Sequence, residues 1–94
     1  LFDIGGGSLE IAAGSDELPD AAESVPLGAG RMTLGFLPED PPGPDAIDAL
    51  RAHAAGVLQP VAERFASQPR PDHVVGSSKA IRSLAKLAGY PVPG

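Results

Sequence analysis

Two carboxylates and three consecutive glycines stand close together at the start of the chain, in Asp3-Ile4-Gly5-Gly6-Gly7-Ser8-Leu9-Glu10. Glycines in a tight loop bring successive N–H groups together with no side chains in the way, which makes a donor-lined hollow for an anion. Ser8 adds a hydroxyl at the rim. Asp3 and Glu10 flank the loop as acceptors for a metal ion or a water. Donors for an oxyanion beside acids for a cation are the equipment of a phosphate site. The plainer reading is a hairpin whose glycines supply positive φ, and a short motif alone does not separate the two.

Two later stretches have related chemistry. In Leu27-Gly28-Ala29-Gly30-Arg31, two glycines permit close backbone approach, and Arg31 could grip a phosphate with two donors. The alternative is a strand-to-helix turn with a surface arginine. In Gly76-Ser77-Ser78-Lys79, a strand gives way to a helix. Free N–H groups, two hydroxyls and an ammonium gather at the positive end of that helix. The alternative is ordinary capping by Ser77 or Ser78, with Lys79 in solvent. His53 and His73 have no partner at ligand spacing and are read as structural or solvated. No nucleophile elbow and no Gly-Lys-Ser/Thr phosphate loop is present.

Composition narrows the classes. The 94 residues make one domain or a piece of one. Leu1 already lies inside a strand pattern and Val92-Pro93-Gly94 is loop chemistry, so a fragment of a larger protein is expected. A net charge of −5 argues against a dedicated binder of DNA or of anionic membranes. It leaves room for a local anion site built from backbone donors. Without cysteine, thiolate metal sites and disulfides are excluded and a reducing compartment is suited. No stretch approaches the roughly 18 apolar residues of a membrane span, and no signal-peptide pattern opens the chain, so a cytoplasmic location is expected.

These motifs need elements to hold them. Leu1 to Ile4 reads as a strand, Leu9 to Ala13 as a second and Ala22 to Leu27 as a third, joined at Gly14-Ser15-Asp16-Glu17 by turn residues. Arg31 to Leu37 reads as a short helix with Met32 and Phe36 inward. Pro38 to Pro44 is a loop, since proline lacks the N–H and fixes φ. The main helix follows, with Gly43 or Asp45 as its cap and Pro44 suited to its first position. Ile47, Leu50, Ala54, Val57, Leu58, Val61 and Phe65 form its apolar stripe. A bend is expected at Pro60. His73 to Gly76 reads as a strand, and Lys79 to Ala88 as a helix burying Ile81, Leu84, Ala85 and Ala88. The order β-β-β-α-α-β-α predicts an α/β domain. It has an antiparallel three-stranded meander, a last strand parallel to the first, and helices packed on the sheet.

Taken together, the three stretches resemble the exopolyphosphatase / guanosine pentaphosphate phosphohydrolase family. Asp3 to Glu10 is similar to its second phosphate motif. Val25-Pro26-Leu27-Gly28-Ala29-Gly30-Arg31-Met32-Thr33 looks like its next segment, and Gly76-Ser77-Ser78-Lys79-Ala80-Ile81-Arg82 resembles its Gly-Ser-Ser-Gly-Thr-Ile-Arg stretch. Lys79 and Ala80 depart from that pattern. The resemblance spans essentially the whole chain. It implies part of an actin-like, ribonuclease H-like ATPase fold. The implied activity releases terminal phosphate from polyphosphate or guanosine pentaphosphate, with Mg2+. Gly5, Gly6, Gly7 and Ser8 would clamp phosphate, and Arg31, Ser77, Ser78 and Lys79 would assist. Asp3 would hold the metal or position water, and Glu10 would be a second catalytic acid. The resemblance also implies a first domain, outside these residues, that carries the catalytic base. Homodimerisation of the full-length protein is a further expectation. The Asp-Ile-Gly-Gly-Gly-Ser stretch alone also resembles actin-like ATPases of the chaperone and sugar-kinase type. A non-catalytic sensor of a phosphorylated ligand is the third reading.

Overall fold

The computed structural model describes residues 1–15 and 18–91. The expected turn at Asp16 and Glu17, and the loop at Val92-Pro93-Gly94, lie outside the described residues. The elements are β1 (Phe2–Ile4), β2 (Leu9–Ala13), β3 (Ala21–Val25), α1 (Ala29–Phe36), α2 (Pro44–Phe65), β4 (Gly76–Ser77) and α3 (Lys79–Leu87). Their order is the one the sequence predicts. The sheet runs β3-β2-β1-β4. β1 and β3 are each antiparallel to β2, and β4 is parallel to β1. Short turns can only return a strand antiparallel, whereas the long helical excursion through α1 and α2 lets β4 arrive parallel. The expected mixed α/β sheet is therefore present.

Register assigns the two faces. Ile4 stands opposite Leu9, Leu9 opposite Val25, and Phe2 opposite Ile11. Directly opposed residues share a face, so one side of the sheet is apolar. Ile11, Val25, Leu27 and Val61 are buried there, with Leu9, Met32, Ala54, Val57, Leu58 and Phe65 packed around them. The later part of the helical stripe read from the sequence, Ala54 to Phe65, is thus the surface that α2 packs against the core, and α2 also packs on α1. Gly43 is its N-cap, Pro44 its first residue, and the helix continues through Pro60 as one element. Arg64 on α2 pairs with Glu23 on the same face of β3. Phe36 of α1 meets the exposed His53 of α2 with ring centroids 4.7 Å apart. Val61 is 3% exposed. Val61→Ala is expected to lower unfolding free energy by about 2 kcal/mol in a denaturant titration; a loss under about 0.5 kcal/mol would place α2 elsewhere.

Several boundaries differ from expectation. β3 ends at Val25, not Leu27, because Pro26 has no N–H for the ladder and β2 begins opposite Val25. Leu27 still lies in the core. β4 is Gly76–Ser77 and not His73 to Gly76. β1 begins at Phe2, opposite Gly76, so earlier residues have no ladder partner beyond the Phe2 N–H donating to the Val75 carbonyl at 2.8 Å. α1 begins at Ala29, not Arg31. On α3, Ile81 and Ala85 are half-buried as expected, but Leu84 is 60% exposed and Ala88 is exposed. α3 packs on β1 and the two-residue edge strand β4, which is too narrow to cover its whole stripe. Gly76 permits that packing, because a Cβ there would stand 2.6 Å from Ile81 Cγ2. Among the described residues, no helix is long and apolar enough to cross a membrane.

Candidate active site

The other face of the sheet is polar at one level. Ser24 stands opposite Glu10, Glu10 opposite Asp3, and Asp3 opposite Ser77. One row crosses all four strands, on the side away from α2. Two like charges directly opposed on neighbouring strands are unfavourable unless something neutralises them. Glu10 is held in place: the Ser8 hydroxyl donates to its Oε1 at 2.6 Å and the Ser24 hydroxyl at 3.2 Å. Asp3 is half-buried, and among the described residues no hydrogen bond or ion pair engages its carboxylate. Of the two opposed acids, Asp3 is thus the one without a partner among the described residues.

The glycine hairpin lies beside this row. Among the described glycines, Gly89 is the one with positive φ, so Gly5, Gly6 and Gly7 are not there to supply a left-handed turn. That removes positive φ as the reason for the three glycines. The hairpin closes through the Gly5 N–H donating to the Ser8 carbonyl at 2.9 Å. Among the described residues the N–H groups of Gly6, Gly7 and Ser8 take no acceptor. Gly28 is buried against the hairpin, and a Cβ on it would lie 2.3 Å from the Gly7 carbonyl carbon and 2.4 Å from the Ser8 nitrogen. The close backbone approach that the glycines permit is made at Gly28 to the hairpin itself.

The third stretch divides. Ser77 is the last strand residue and belongs to the polar row. Ser78 caps α3, its hydroxyl accepting from the Ile81 N–H at 3.4 Å. Ser78 holds φ 99° and ψ 162°, a region natural to glycine. Lys79 opens the helix, and a cation there opposes the helix dipole, a mismatch that a bound anion would relieve. Ile4, Gly5, Gly6 and Ala29 face Ser78, Lys79 and Ser83 across an open groove of about 500 Å³.

The structure thus sets Asp3, Glu10 and Ser77 in one cross-strand row, with Gly5 to Ser8 in the adjoining hairpin, and of the hairpin Gly5 and Gly6 line the groove with Ser78 and Lys79. It gives Ser8 and Ser78 hydroxyl roles within the protein, toward Glu10 and α3. Arg31 donates through Nε to the Gly7 carbonyl at 2.8 Å. Ser24 escaped the sequence reading, because its membership depends on the β2–β3 register. Its position one residue before the core residue Val25, on an alternating strand, was the available signal.

The sequence profile of the Ppx/GppA phosphatase family matches residues 1–90. The chain belongs to the Ppx/GppA phosphatase family. It is 47% identical over 88 residues to Exopolyphosphatase 1 of Mycobacterium leprae, covering 94% of this chain and 26% of that protein. Exopolyphosphatase 1 of Mycobacterium tuberculosis H37Rv is similar at the same identity and coverage. In structure the chain resembles the Aquifex aeolicus Ppx/GppA phosphatase, with a TM-score of 0.62 and 26% identity over 96% of this chain and 29% of that one. The chain spans about a quarter of the length of the curated relatives it matches. Their Ppx/GppA kinship agrees with the resemblance read at Asp3 to Glu10, Val25 to Thr33 and Gly76 to Arg82, and with the actin-like fold it implied.

The donor set fits Mg2+ in one particular way. Mg2+ is commonly held by one or two carboxylates with waters and substrate phosphate oxygens. Asp3 and Glu10 supply two opposed carboxylates, and among the described residues no group of three or more metal-ligating side chains assembles. The ion would therefore need the phosphate itself, or groups outside these residues, to complete its shell.

Proposed function

We propose that this chain forms one wall of the phosphate-binding cleft of an exopolyphosphatase-type phosphohydrolase. The observation that carries it is the Ser24–Glu10–Asp3–Ser77 row beside three free hairpin amides. Amide donors there take the anionic oxygens of a terminal phosphate, and Asp3 faces a cation or the attacking water. Glu10, braced by Ser8 and Ser24, stands as the second acid. Phosphoryl transfer needs charge neutralisation and an in-line water more than covalent chemistry by the protein. When bound, Mg2+ supplies charge neutralisation on the phosphate oxygens. Asp3 is the residue that would hold it.

The substrate is polyphosphate or guanosine pentaphosphate, and the catalytic base comes from the first domain. The test measures released phosphate with polyphosphate, guanosine pentaphosphate and ATP, using the full-length protein and the 94-residue chain. Release by the full-length protein from one of the first two substrates is expected, and none from the 94-residue chain alone. Preference for ATP would favour a chaperone or kinase-type domain, and binding without release a sensor.

A further inference from the structure

The carbonyl oxygens of the glycine run are all occupied by one short segment. The Gly5 oxygen accepts from the Ala29 N–H at 2.9 Å, and the Gly6 oxygen from the Arg31 N–H at 2.9 Å. The Gly7 oxygen accepts from Arg31 Nε at 2.8 Å. In a planar trans peptide the carbonyl and the following N–H point in opposite directions. Holding the Gly5, Gly6 and Gly7 carbonyls toward the start of α1 therefore turns the N–H groups of Gly6, Gly7 and Ser8 away from it. These are the three amides that take no acceptor among the described residues. Backbone makes two of the holds, and Arg31 makes the third with its side chain.

We propose that Arg31 is a positioning residue: it pins the Gly7 peptide so that the Ser8 N–H faces the bound phosphate, and it acts through the hairpin and not on the substrate. This rests on the reading of the hairpin as a phosphate site. It replaces the expectation that Arg31 grips phosphate itself. A single directional donor at the Nε position is what the role requires, and positive charge is not.

Glutamine separates the two roles, because its Nε2 lies as many bonds from Cα as arginine Nε and is neutral. In the full-length protein, binding of inorganic tripolyphosphate is measured by calorimetry for Arg31→Met, Arg31→Gln and Arg31→Lys. Arg31→Met is expected to weaken binding about tenfold, the effect of a lost charge-assisted hydrogen bond, and Arg31→Gln to recover most of that loss. Hydrogen exchange at the position 29 and 31 amides should quicken in Arg31→Met and slow again in Arg31→Gln. Normal binding by Arg31→Lys with Arg31→Gln no better than Arg31→Met would overturn the proposal in favour of direct charge contact. Unchanged exchange in Arg31→Met would overturn it too. If the unsubstituted protein fails to bind tripolyphosphate, the phosphate reading falls, and the exchange data still decide whether Arg31 holds the hairpin.

Discussion

Gly28→Ala should destabilise the protein by about 3 kcal/mol or more and abolish phosphate release. The added methyl would stand 2.3 Å from the Gly7 carbonyl carbon and 2.4 Å from the Gly7 and Ser8 nitrogens. All three are backbone atoms, so no side chain can rotate away. Overpacking a tight site ordinarily costs roughly 1–3 kcal/mol, and a backbone-to-backbone clash lies at the upper end or above. Relief requires parting the start of α1 from the hairpin, which breaks the hydrogen bonds from Ala29 and Arg31 to Gly5 and Gly6. Gly6→Ala is the control. Nothing lies within 4 Å of a Cβ at Gly6, and its φ is not positive. Stability should stay within about 0.5 kcal/mol of the parent, as for a surface substitution away from special features. Phosphate affinity should nonetheless fall, since the methyl stands among the free amides. Thermal denaturation with phosphate-release assays on both variants checks the pair. Equal stability of Gly28→Ala and the parent would mean that the α1 start and the hairpin do not pack as described.

Asp3→Asn is expected to lower turnover by roughly a hundredfold to a thousandfold, the scale for removing one preorganised electrostatic group from a reacting site. Stability should hold or rise. Asp3 faces Glu10 directly across the β1–β2 ladder, and removing one of two like charges relieves repulsion. Opposite signs for activity and stability mark a residue kept for chemistry. A structural Asp3 would show the reverse, with thermal stability falling and turnover following it. Melting temperature and phosphate release, measured on the same full-length preparation, distinguish the two.

Much of this protein is legible in its residues alone. Glycine, proline and alternating apolar positions marked out all seven elements, because those residue types act through local backbone sterics and burial. The apolar stripe of α2 was visible for the same reason. The motif Asp3 to Glu10 could be read as phosphate chemistry, and its family could be named from three spaced stretches. Boundaries that depend on a partner could not. β4 starts at Gly76 because β1 starts at Phe2, and Leu84 is exposed because the sheet ends beneath it.

The site shows the same division. Residue types at Asp3, Gly5 to Ser8 and Glu10 carry donors and acceptors wherever they fold, so the sequence by itself determined that this hairpin could serve a phosphate. Whether three glycines make a simple turn or an aimed set of amides is set by what holds their carbonyls. That is decided at Gly28 to Arg31, more than twenty residues away. Tertiary packing also joined Ser24 and Ser77 to the acids and turned Arg31 toward the hairpin, since register and peptide orientation are properties of paired segments and not of single ones.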